Sequence, residues 1–323
     1  MAKIPRSMPL RDLDRILPYL VDEGLPDGGE FLVVDFTGDE VDVDRASEIT
    51  ASIISLLVWH GFLPMAGLGM LLPKLHLYRC VLRPCDVHIG RKVRRRSTGF
   101  HLSVNQAWPC VVRSIQERTF TTEKGDCWLS DELASAYQAV GRLPVELRRG
   151  VAFHSVELWH TASGNLVAGE IGYTCGSIYS SCTGFAMKDE YSGAGAVQLV
   201  ALARWLERCG FTTWDLGMEL EYKLELGAKP VERAVWARTI RAARGNAVEL
   251  RMPDGAEAQV PSLVCPEKSV VAAAPKGAEV AGAGRGRGVG GAGTGRAGGS
   301  GGRKGRGRAG GAEATPQEGS VEL

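Results

Sequence analysis

No run of about 18 consecutive apolar residues occurs in the chain, the length a helix needs to cross a bilayer, so no membrane-spanning role is expected. The first thirty residues, MAKIPRSMPLRDLDRILPYLVDEGLPDGGE, lack the continuous apolar segment of a secretory signal. Asp12, Asp14, Asp22 and Glu23 also make them too acidic for a transit peptide. A cytoplasmic protein is expected. Net charge is scarce as well: 38 Lys and Arg stand against 37 Asp and Glu, for +1. From Glu267 onward there are 9 basic and 5 acidic residues, which leaves 29 against 32 before it. The part that can fold is close to neutral, so any surface for a polyanion must be local.

The eight cysteines include no CxxC pair and no Cys/His cluster at zinc spacing. Several sit in apolar runs, among them Cys80 in LYRCVL, Cys175 in IGYTCG and Cys209 in LERCGF, as small buried hydrophobes do. A reduced, intracellular chain without a metal is the economical reading.

What is present is a hydrophobic content of 44% over 323 residues, ample for one large domain or two modest ones. Residues 1–70 read as a small leading subdomain. In it Asp42–Val43–Asp44 caps a helix with Ile49, Ile53, Leu56 and Leu57 at helical spacing, closed at Gly61. Residues 71–250 are mixed. KLHLYRCVL alternates like a strand, a basic stretch runs into another, and two helices follow, the second opening on Ser130. Then come three strand-like runs (HSVELWH, LVAGEIGYTC, SIYSSCTGF) broken by turns, a helix AVQLVALARWLERCG, and the short apolar strand FTTWDLGM. A meander, a helix and a further strand make an α+β or mixed α/β fold and not a doubly wound sheet. Residues 251–323 read as a linker and a Gly/Arg-rich tail with too few large apolar side chains to fold.

Chemistry concentrates in Asp189–Met218. Gly193 and Gly195 open a helix, where backbone N–H groups can approach an anion; a plain tight turn is the alternative. Arg91, Lys92, Arg94, Arg95 and Arg96 place five cations in six residues, offering phosphate contacts or simply a solvated segment. Cys182 has no His near it in sequence and reads as a small buried side chain sooner than a nucleophile. His154 and His160 read as structural. Glu219, Glu221 and Lys223 read as the solvated side of a strand. RGRG at 285–288 and GRKGRGRAG at 302–310 offer RNA contacts through charge and guanidinium stacking, or serve as a mere extension.

From Glu30 to Trp236 six blocks stand in order: FLVVDFTGDEVDVDRASEI with WHGFLP, KLHLYR before the basic stretch, GDCWLSDELASAYQAVGRL, FHSVELWHTASGNLVAGEIGYTCGSIY, GFTTWDLGM, and LELGA at 224–228. In this the chain resembles the leucyl/phenylalanyl-tRNA–protein transferases, a branch of the GNAT-like acyltransferase superfamily. The resemblance implies a GNAT-like core and an enzyme that moves an amino acid, of Leu or Phe type, from aminoacyl-tRNA to protein amino termini, as in N-degron degradation. It implies no diffusible cofactor, acceptors with a basic first residue, and a monomer. Asp215 matches the family's Asp at a strand end and is expected to orient the attacking amine and accept its proton. Trp128, Tyr179 and Phe185 are expected as apolar walls, and the basic run as a tRNA contact. The family's Asp-Cys-Gln is Asp215–Leu216–Gly217 here, and its Gly-Glu-Ser-Met-Phe is Ser181–Cys182–Thr183–Gly184–Phe185. Glu170 stands where a pocket Met is expected, which would disfavour a Leu or Phe side chain. Glu190 replaces the Gln or Arg of the coenzyme A loop. Two alternatives stay open: a GNAT enzyme using acetyl-CoA, and a catalytically decayed tRNA- or RNA-binding homologue.

Overall fold

The computed structural model describes residues 2–5, 8–26, 28–35, 43–67, 69–122 and 127–265. The Gly/Arg tail and the expected cap at Asp42 lie outside them. The chain opens with β1 (Ala2–Pro5), α1 (Leu10–Glu23) and β2 (Leu32–Asp35), with β1 and β2 parallel. Then come α2 (Val43–Trp59), β3 (Ala66–Gly67) and β4 (Met70–Leu71), which complete a sheet of order β1-β2-β4-β3. Next are β5 (Tyr78–Leu82), α3 (Arg91–Arg96), β6 (Phe100–Val104), α4 (Trp108–Thr122), α5 (Asp131–Val140) and α6 (Val145–Arg148). The meander is β7 (Val151–His160), β8 (Leu166–Cys175) and β9 (Ile178–Ala186), followed by α7 (Ala194–Cys209) and β10 (Thr213–Asp215). Last come α8 (Glu221–Glu225), β11 (Lys229–Glu232), α9 (Arg233–Ala243), α10 (Gly255–Ala258) and α11 (Val260–Val264).

The second sheet has the order β11-β5-β10-β9-β8-β7-β6. Strands β6 to β9 pair antiparallel with their neighbours, whereas β10 lies parallel to β9. A parallel neighbour needs a crossover, and α7 supplies it. This is the mixed α/β order expected, a meander followed by a helix and a further strand. Strand β8 is buried almost along its whole length because both faces are covered. Helices α4 and α5 pack on one face with Ile171, Tyr173 and Phe185; α7 and α11 pack on the other with Val156, Leu158 and Trp214.

Sequence rules account for most of these elements. Ser130 caps α5 by accepting the Leu133 N–H at 3.3 Å, and Leu133, Ala134 and Tyr137 turn inward at helical spacing. Strand β11, which hydropathy does not announce, contains Pro230 and takes the sheet edge, where a missing N–H does least harm. Two expectations change. The boundary near residue 70 separates no cores: Leu13 and Ile54 share one buried cluster with Val111, Tyr137 and Tyr173. And 251–265 is no loose linker, because Val260, Leu263 and Val264 are buried against α7 and its neighbours.

Candidate functional site

Between β9, α7, α8 and the segment entering α3 lies a cleft of about 600 Å³. Its polar floor is built by strand register. The β8/β9 pairing shifts between Ile171 and Gly172. On the α7 side of this pair, Glu170 Oε1 accepts the Tyr179 hydroxyl at 2.9 Å and the Ser181 hydroxyl at 2.7 Å, while Oε2 accepts Gln198 Nε2–H of α7 at 3.1 Å. Gly172 is required here, since a Cβ at that position would collide with the Tyr179 hydroxyl. Ser181 Oγ in turn accepts the Trp214 indole N–H at 2.9 Å. Glu170 is 3% exposed yet lines the cleft. Burial pushes its pKa up, and the hydrogen bonds from Ser181, Gln198 and Tyr179 work against that rise.

Cys182, Thr183, Phe185 and Gly195 line the cleft with Glu170. Tyr179 lies one layer behind, fully buried, and acts as a donor to Glu170 instead of a wall. Trp128 is not among the lining residues; just before the Ser130 cap it packs half-buried on the core of the opposite sheet face. The Cys182 thiol is pushed well up by burial and by the Glu170 and Asp215 charges, so it is no thiolate nucleophile. His154 is structural: its Nδ1 faces Asn105 Nδ2 and its Nε2 faces Thr174 Oγ1, both at 3.1 Å, and burial lowers its pKa to about 4. His160 likewise meets Ser163 Oγ at 2.9 Å and the Tyr191 ring.

Asp215 ends β10 outside the cleft lining, 1% exposed. Its Oδ2 accepts Arg79 Nη1–H of β5 at 2.5 Å, and its Oδ1 accepts the Gly217 N–H at 2.9 Å. Arg79 is equally buried, lies over the Trp236 ring, and meets His76 Nδ1 at 3.3 Å. Burial would lower its pKa, but the Asp215 carboxylate and then Tyr173 hold it above the ordinary value. So engaged, both Asp215 oxygens already have partners. Nothing in the sequence singles out Arg79, because a charged residue in an alternating strand carries no mark of the partner it meets.

Lys223 also departs from its expected place. It lies on the short helix α8, not on a strand, with Glu219 and Glu221 exposed and Lys223 buried. It shares an inward face with Leu226 at i+3. Its Nζ donates to the Met218 carbonyl at 2.8 Å, and the residue lines the cleft. Burial lowers its pKa, while Asp215 and Glu170 support the charge.

The basic run forms α3, whose approach (His88, Gly90) and Val93 border the cleft. It divides into two uses. Arg96 lies over Gly193, the αL residue (φ 84°) that starts α7, where any Cβ would strike the guanidinium. Arg94 donates to the Val264 carbonyl at 3.3 Å. Arg91, Lys92 and Arg95 are exposed and form no ion pair among the described residues. The GAGA segment is therefore a turn occupied by Arg96. Among the described residues no group of three or more His, Cys, Asp or Glu could hold a metal, and no helix is long and apolar enough to cross a membrane.

A family model described as leucyl/phenylalanyl-tRNA protein transferase matches residues 81–241, which include the meander, α7 and all the residues lining the cleft. Three proteins of that name give the measure of the likeness. The one from Thiobacillus denitrificans is 35% identical over 48% of this chain and 63% of its own length. That from Teredinibacter turnerae is 32% identical over 50% and 58%, and that from Dinoroseobacter shibae 30% identical over 53% and 70%. The chain thus spans about three fifths of the first two relatives' length. Among solved structures, FemX superposes with a TM-score of 0.37 at 11% identity, over 71% of this chain and 78% of that one. A tandem GNAT protein from the clavulanic acid pathway does so at 0.29 and 11%, over 68% and 69%.

Proposed function

The chain belongs to the leucyl/phenylalanyl-tRNA–protein transferase family, and on that premise we propose that it transfers an amino acid from aminoacyl-tRNA to the amino terminus of an acceptor protein. The observation that carries this reading is that the family match covers the cleft and its framework, β8, β9, α7 and the α8 turn. In the reaction the acceptor's α-amine attacks the ester carbonyl, the new C–N bond replaces the ester C–O bond, and the released ribose hydroxyl takes the proton. Positioning supplies much of the rate. Lys223, whose Nζ donates to the Met218 carbonyl, lines the cleft and offers positive charge beside a carbonyl oxygen bound there. Asp215, held by Arg79 and Gly217 N–H, sets the β10 end from which Leu216 enters the cleft; it is a positioning residue in this scheme.

Arg91, Lys92 and Arg95 at the rim supply phosphate contacts for the tRNA end. As written the reaction needs no metal and no diffusible cofactor. The acceptor class carried over from the family is a protein with a basic first residue, and a donor of this kind places the activity in a cytoplasmic compartment that holds charged tRNA. A decayed RNA-binding homologue is the second reading, favoured by the engagement of both Asp215 oxygens. Incubating the protein with radiolabelled aminoacyl-tRNA, acetyl-CoA and peptides of varied first residue tests the proposal. Label on peptide from tRNA supports it, and tRNA binding without transfer supports the second reading.

A further inference from the structure

Resting on the transferase reading above, the geometry points to Glu170 as the residue that selects the amino acid transferred, and to a donor whose side chain has an apolar stem and a cationic head, lysine or arginine. Glu170 lines the cleft at its floor, and its partners there are three neutral donors, Tyr179, Ser181 and Gln198. They use Oε1 twice and Oε2 once. A carboxylate has about four acceptor sites, so Oε2 keeps one. Among the described residues Glu170 forms no salt bridge; a buried carboxylate without a counter-ion is costly, and a ligand's cation would remove that cost. Lys223 supports the Glu170 charge only through space: its Nζ donates to the Met218 carbonyl and forms no ion pair with Glu170 among the described residues.

Apolar lining suits a methylene stem: Leu199 and Leu216 line the cleft with Glu170. A leucine or phenylalanine side chain would instead set hydrocarbon against Glu170 and leave it unpaired, which a site built for a polar group rejects strongly. The cation belongs to the tRNA-borne amino acid and not to the acceptor, because the basic helix α3 borders the cleft at Val93. Its exposed Arg91, Lys92 and Arg95 favour a polyanion at that entrance.

The test compares transfer to one peptide acceptor from tRNA charged with Lys, Arg, Leu or Phe. The expected result is a kcat/KM for Lys or Arg at least about tenfold above that for Leu or Phe. Glu170→Gln keeps an acceptor oxygen for the hydroxyl donors and should compress that ratio toward one. Glu170→Leu, if a thermal melt shows it folded, should invert it. A wild-type enzyme that uses Leu or Phe as well as Lys or Arg overturns the inference, as does a ratio unchanged in Glu170→Gln. Each of those outcomes leaves the transferase reading standing. Absence of transfer from every charged tRNA removes that reading, and the inference with it.

Discussion

Arg79 and Asp215 are each 1% exposed and depend on one another for neutralisation. Arg79→Met leaves a buried carboxylate with a single backbone donor and should cost about 3–5 kcal/mol. The double variant Arg79→Met/Asp215→Asn should cost clearly less, which urea unfolding of the three proteins would show. His154 makes a separate prediction. Asn105 Oδ1 accepts the Ser155 N–H at 3.1 Å, which turns its amide N–H toward His154 Nδ1 and requires that nitrogen to accept. With a folded pKa of about 4 against 6.5 unfolded, the unfolded chain binds the proton more readily. The stability held above pH 6.5 is therefore lost as pH falls toward 4, by about 3 kcal/mol. Thermal melts of His154→Gln should show a shallower decline over that window. Asp215 was legible through the family's strand-end pattern, whereas Arg79 was not: the two meet 136 residues apart, across an antiparallel pairing no local periodicity records. Lys223 was hidden for a different reason, since a five-residue helix shows the same polar alternation as a strand.

At the scale of elements, α3 and the start of α7 are tied to one another. Arg94 and Arg96 hold α3 against the core, which leaves Arg91, Lys92 and Arg95 for an outside partner. Changing those three to Gln should weaken tRNA binding and reduce the slope of log affinity against log salt by roughly 2–3, at about 0.7–0.9 for each phosphate no longer neutralised; filter binding across a salt series measures it. Unfolding midpoints should stay close to wild type, as surface substitutions usually shift stability by no more than about 0.5 kcal/mol. Gly193→Val should lose stability instead, from its positive φ and from the collision with Arg96. The charge run could be read in the sequence, but its division into structural and free cations could not, because the division depends on which side chains α7 and α11 meet.

For the whole molecule, the meander and α7 were readable because each is long and strongly patterned, and β10 was readable as a short apolar strand but not as the parallel partner of β9. The join between the leading elements and the large sheet was not, since Leu13 and Tyr137 reveal a shared core only once folded. The same holds for Val260, Leu263 and Val264 after a Pro/Gly-containing segment. Each buried aliphatic side chain contributes about 1.5–3 kcal/mol. Ending the chain after Glu249 should therefore cost several kcal/mol relative to ending it after Cys265, as paired thermal melts would show. The proposed activity rests on transfer from charged tRNA, and the direct measurement is mass spectrometry of an acceptor peptide incubated with the protein, a mixture of aminoacyl-tRNAs and acetyl-CoA. The predicted result is a mass increase of one amino-acid residue at the peptide's amino terminus, abolished by ribonuclease treatment of the donor. An acetyl increment, or no increment while the protein remains folded and binds tRNA, would contradict it.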